Sequence, residues 1–186
     1  FFKNVGQMGL LVTVIVFCGI VANEFTKGTL VLVLTKGIRR STVLWSKFTT
    51  ATLLWTVSYL VCLLTCFGYT AYLFDTEGVH HMFVSFFCMW LYGVLLITLL
   101  ILGGVLFKSV LGSLLVCGGV AMVLSILQFL FPKTNGYNPA SLASENLKLL
   151  GAQTTPSDML PAILICIALI VGCMTASVLV FNKKQI

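Results

Sequence analysis

The sequence predicts an all-α protein embedded in a membrane, and three observations carry that prediction. Five long apolar runs contain no Asp, Glu, Lys, Arg or His. Composition is 59% hydrophobic and 9% charged, with a mean hydropathy of +1.09, outside the range of water-soluble domains. Every charged residue falls in the gaps between the runs, and the gaps alternate between basic and mildly acidic. Lipid offers the backbone no hydrogen-bond partners, so spanning segments must be helices or a closed barrel. Continuous runs without two-residue alternation select helices. We read residues 1–186 as a single transmembrane domain.

The runs cover residues 4–23, 48–74, 82–107, 109–132 and 159–182, each near or above the ~20 residues that a spanning helix requires. If all five span, one side of the membrane receives Lys27, Lys36, Arg39, Arg40, Lys47, Lys108, Lys183 and Lys184. The other receives Lys3, Lys133 and Lys148 with Asp75, Glu77, Glu145 and Asp158. The positive-inside rule then makes the first side cytoplasmic, with residue 1 outside and the C-terminus inside. The net charge of +6 is a topology signal that calls for no nucleic-acid partner. An outside start at Phe1 without an initiator Met implies an earlier span. The competing reading, a secretory signal peptide over residues 1–23, puts the next five basic residues outside and leaves Val21, Ala22 and Asn23 as a poor cleavage site.

Between the first and second runs, residues 24–47 are too long and too patterned for a simple turn. Leu30, Val31 and Leu34 are spaced to share a helical face, Gly37 can end that helix, and Ser41 or Thr42 can cap the next. Glu24 is placed favourably against the helix dipole. From the residues alone, this short helix fits equally a contact with a partner protein and an interfacial anchor among anionic lipid headgroups. Near the other side, residues 132–158 predict a short outer helix. Asn138 would cap it, Pro139 would sit in its first turn, Gly151 would close it, and Leu142, Leu149 and Leu150 would anchor it. Asp158 is then expected to cap the last span, with Pro161 still in the first turn.

Several candidate sites weaken on inspection. Cysteines 18, 62, 66, 88, 117, 166 and 173 all lie inside runs, where a secreted disulfide framework has no use for them. Cys62 and Cys66 fit better in a small-residue ladder with Ser58 and Thr70 than as a metal pair; similar ladders run through Ser113, Cys117, Ala121 and Ser125, and through Ala168, Gly172 and Ala176. His80 and His81 follow Asp75 and Glu77, but adjacent histidines diverge and nothing completes a metal site. Gly103, Gly104, Lys108 and Ser109 lack the strand-to-helix setting of a phosphate-binding loop. Ser113 and Ser125 have no base beside them for hydrolysis. No cofactor, metal or catalytic residue is therefore expected in this chain. Ion-coupled carriers keep ionisable groups at membrane depth, and these runs have none, so energy for any transport should come from another subunit.

Glu24, Phe25, Gly28, Thr29, Leu30, then Leu34, Arg40 and Lys47 resemble the first cytoplasmic loop of ABC type-2 transporter permeases. The basic end Phe181, Asn182, Lys183, Lys184 is also similar, while Gly37 stands where many members have Pro. The resemblance covers essentially the whole chain and implies spans two to six of a six-helix permease, with the first span missing. It further implies that residues 24–47 form a coupling helix docking on a separate ABC ATP-binding subunit. ATP and magnesium would be bound by that partner, and a second permease subunit would complete a homo- or heterodimeric export pathway in the bacterial plasma membrane. The alternative is a non-transporting immunity or assembly factor with the same fold.

Overall fold

The computed structural model describes residues 4–19, 40–73, 82–130, 136–146 and 156–183, and all the elements among them are helical. A π-helical turn, Val5–Gly9, leads into α1 (Leu10–Phe17). There follow α2 (Arg40–Leu73), α3 (Met82–Phe107), α4 (Val110–Leu130), the four-residue α5 (Ser141–Ser144) and α6 (Pro156–Lys183). Within α2, α3, α4 and α6, four stretches are long and apolar enough to cross a bilayer: Ser41–Thr70, Met82–Phe107, Val110–Leu130 and Met159–Phe181. The remainder of the first apolar run, residues 20–23, lies outside the described residues.

The bundle is built around α3. In its most apolar stretch 78% of residues are buried, against 17% in each of α2, α4 and α6, and every residue from Leu91 to Ile101 is buried. A helix that is apolar all round tolerates a position surrounded by other helices. The remaining helices press one face on α3 and turn the other outward, as lipid-facing helices do.

Helix α2 is antiparallel to α3 and starts earlier than the sequence suggests. Ser41 and Thr42, expected as caps, are already helical. Its inward stripe is Leu44, Ala51, Trp55 and Tyr59, at three- and four-residue spacing. Trp45, 52% exposed and edge-on to Phe48 with ring centroids 5.9 Å apart, stands near one end. Exposed Tyr69 and Tyr72 stand near the other. The ~36 Å of helix from Trp45 to Tyr69 matches a hydrocarbon core of ~30 Å with aromatic residues at both interfaces.

Two residues join α3 to α4. Lys108 takes a left-handed conformation (φ 53°) and its N–H donates to the Gly104 carbonyl at 3.0 Å, ending α3. Ser109 starts α4, its Oγ accepting the Gly112 N–H at 3.0 Å and its carbonyl the Ser113 N–H at 3.1 Å. The residues that faintly resembled a phosphate-binding loop are thus a helical hairpin. Its helices approach closely, because a Cβ built on Gly103 would lie 2.8 Å from the Ser113 Cα. Gly103→Ala should accordingly destabilise the protein by about 1–2 kcal/mol by overpacking, whereas Gly119→Ala, where a Cβ meets open space, should leave it unchanged or slightly more stable. Detergent-resistant unfolding monitored by circular dichroism checks the contrast.

Of the three small-residue ladders, this hairpin uses one, and only at its start: Ser113 and Cys117 are buried, Ala121 is half-buried and Ser125 exposed. The other two are mostly exposed among the described residues, with only Cys66 and Ala176 half-buried. Ser58, Cys62 and Thr70 on α2, and Ala168 and Gly172 on α6, are exposed. Spacing marks a face that permits close approach, and it does not say whether this chain supplies the neighbour.

Beyond α4, the Asn138 Oδ1 accepts the Ala140 N–H at 3.0 Å within the turn before α5, but the helix cap is Ala140, two residues later than expected, because the turn at Pro139 and Ala140 precedes the helix. Asn138 Nδ2 also donates to the Leu124 carbonyl at 2.8 Å, and Gln128 Nε2 donates to Ser144 Oγ at 2.6 Å, tying the segment to α4. Leu142 is fully buried. The helix spans Ser141–Ser144, with Asn146 helical beyond it; residues 147–155, including Leu149, Leu150 and Gly151, lie outside the described residues. α6 begins at Pro156, so Asp158 is a helical residue rather than the cap, and Pro161 sits inside the helix. Asp158 cannot cap a helix that is already formed two residues before it.

Candidate functional site

The sequence places its candidate site at the basic end of the bundle, where α2 begins, α3 turns into α4 at Lys108, and α6 ends at Lys183. Glu24, Phe25, Gly28, Thr29, Leu30 and Leu34 lie outside the described residues. Arg40 is the first described residue of α2. Lys47 is half-buried two turns further on, sharing a helical face with Leu44 and Ala51. The structure therefore joins Arg40 and Lys47 on one continuous rod that runs from the basic end to Leu73 at the opposite end.

That rod is fixed to the core by a polar seam which the sequence reading did not identify. Trp55 Nε1 donates to the Trp90 carbonyl at 3.2 Å, and Tyr59 OH donates to the Phe86 carbonyl at 2.9 Å. Trp90 Nε1 returns a hydrogen bond to Thr56 Oγ1 at 3.0 Å, while Thr56 Oγ1 donates to the Thr52 carbonyl at 2.7 Å. Donors four residues apart on α2 meet carbonyls four residues apart on α3, as antiparallel helices require. Interhelical hydrogen bonds in lipid contribute roughly 0.6 kcal/mol each, but their direction fixes the register. Gly93 makes the seam possible: any Cβ there would collide with the Trp55 indole. The usable signal was Trp55 and Tyr59 at helical spacing, aromatic bodies with polar tips that seek partners when buried.

On either side of the seam, α2 stands away from its neighbours. One groove, of about 490 Å³, lies between α2 and α3, and a second, of about 510 Å³, between α2 and the first helix with its π turn. In the π turn, Gly6 lies against Met89, a built Cβ falling 3.3 Å from the methionine methyl. Met89 is also met by the outer segment, where Asn146 Nδ2 donates to the Met89 Sδ at 3.8 Å and to the Leu142 carbonyl at 2.8 Å. Within the described spanning stretches no ionisable carboxylate, lysine or histidine lies deeper than Lys47. The described walls of both grooves are mostly apolar side chains.

Neither the curated proteins nor the solved structures contain a match to this chain. A family model does match, and it covers residues 8–186, from the π turn through every described helix to the C-terminal residue. The fold, the charge-free spans and this near-complete match agree, and the chain belongs to the ABC-2 family of transporter proteins.

Proposed function

We propose that this chain is the membrane-spanning permease subunit of an ATP-driven exporter. It would form the substrate pathway together with a second permease subunit and be coupled through residues 24–47 to a separate ATP-binding subunit. The family match carries this reading. The charge-free spans support it, since a transporter without ionisable groups at membrane depth must draw its energy from outside the bilayer. The outward-facing small residues of α2 and α6 suit close contact with another membrane subunit. In this reading Glu24, Phe25, Gly28, Thr29, Leu30, Leu34, Arg40 and Lys47 form the coupling contact, ATP and magnesium reside in the partner, and the location is the bacterial plasma membrane.

Orientation and partnership are tested together. In a cysteine-free background, cysteines at Thr76 and Gln153 should react with a membrane-impermeant thiol reagent on intact cells, and one at Lys36 should not. The chain should also co-purify with an ATP-binding protein encoded by an adjacent reading frame and stimulate its hydrolysis. Labelling at Lys36 would overturn the orientation. Absence of any such partner would favour the non-transporting immunity or assembly reading.

A further inference from the structure

The groove between α2 and α3 has a chemistry that narrows its occupant. Its walls are Leu60, Leu63 and Phe67 of α2 and Phe83, Phe86 and Phe87 of α3, and the Trp90–Thr56 hydrogen bond lies at its inner limit. The three polar groups along it are already engaged: Trp90 Nε1 with Thr56, Thr56 Oγ1 with the Thr52 carbonyl, and Tyr59 OH with the Phe86 carbonyl. Among the described lining residues a ligand entering here finds no unused side-chain donor, so amides, sugars and charged groups would lose hydrogen bonds to water without replacement. Hydrocarbon loses none.

Length narrows it further. The groove starts at Met82, the first residue of α3, and ends at Trp90. Eight residues of helix rise ~12 Å, close to the ~15 Å of one leaflet in a ~30 Å hydrocarbon core. Phe83, 93% exposed, stands at the Met82 end of the groove, which is only partly enclosed. We infer that this groove is a binding site for a single hydrocarbon chain of a bilayer lipid, taken from the leaflet at the end remote from Lys108. The chain would lie along α3 with its tip against Trp90 and would fill the space that keeps the far half of α2 apart from the core. This requires only that the helices span a bilayer, and it holds whether or not the protein exports anything.

The chain has three tryptophans, and Trp45 is near the other end of α2, so a Trp45→Phe variant reports from Trp55 and Trp90 alone. It should be reconstituted in phosphatidylcholine vesicles containing rising fractions of the same lipid brominated in mid-chain. A single chain site predicts fluorescence that falls in direct proportion to the brominated fraction. Adding Leu60→Phe and Leu63→Phe, which fill the groove, should remove about half of that quenching. If the double replacement does not purify as a monodisperse protein, Leu60→Phe alone, at a 48% exposed position, makes the same comparison. A steeper than proportional fall at low brominated fraction, or undiminished quenching in a folded groove-filled variant, would mean that the indoles meet only the general lipid annulus and would overturn the site.

Discussion

Gly93→Val is expected to be among the most damaging single substitutions in the described part of the protein. A Cβ at this position occupies the space of the Trp55 indole, which is itself buried and cannot swing outward without giving up its hydrogen bond to the Trp90 carbonyl. Overpacking of this kind costs about 1–3 kcal/mol. Losing the indole hydrogen bond and the register it sets raises the total to about 2–4 kcal/mol. Because α2 meets α3 chiefly along this seam, the damage should appear as separation of one helix from the bundle. The expected result is a lowered unfolding midpoint in detergent and new protease sensitivity around α2. Gly118→Val, whose added atoms meet open space, should show neither. Equal stability of the two variants would mean that Trp55 has another place to go.

On the proposed function, replacing Glu24 by Ala, or Gly28 by Leu, should leave insertion and stability intact and remove the proposed interaction with an ATP-binding subunit. If residues 24–47 touch that partner, a carboxylate at a helix start can meet a basic group, and a glycine allows close approach that a leucine prevents. Co-purification should fall about ten-fold or more for Gly28→Leu, the change that ~1.4 kcal/mol produces, and stimulation of hydrolysis should fall with it. The interfacial-anchor reading predicts the reverse pattern. Both variants would then keep full coupling, while neutralising Lys36, Arg39 and Arg40 would loosen the association of the segment with anionic lipid. Arg40 lies on the same helix that carries Trp55 and Tyr59, which suits the proposed coupling. Movement imposed at its basic end would be resisted at the seam.

The sequence by itself determined that this is a helical membrane protein, because charge placement and run length respond to the bilayer and to nothing else in the molecule. It located the long helices to within a few residues, except that α2 begins before its apolar run does. Interior order was another matter. By hydropathy α4 equals α3 and α6 exceeds it, yet α3 is the helix enclosed by the others. When every face is apolar, lipid and protein are equivalent surroundings, and no periodic signal says which face meets which. The same degeneracy explains the ladders, where Ser113 and Cys117 pack against α3 while Ser58 and Gly172 face outward. Pro161 was legible as a residue that stops hydrogen bonding, but its depth in α6 depended on where the preceding chain entered the helix. Only the tertiary structure could set the seam, because Trp55, Tyr59 and Trp90 become a register device through the carbonyls they reach on another helix. Those carbonyls belong to the backbone, and no residue type announces them.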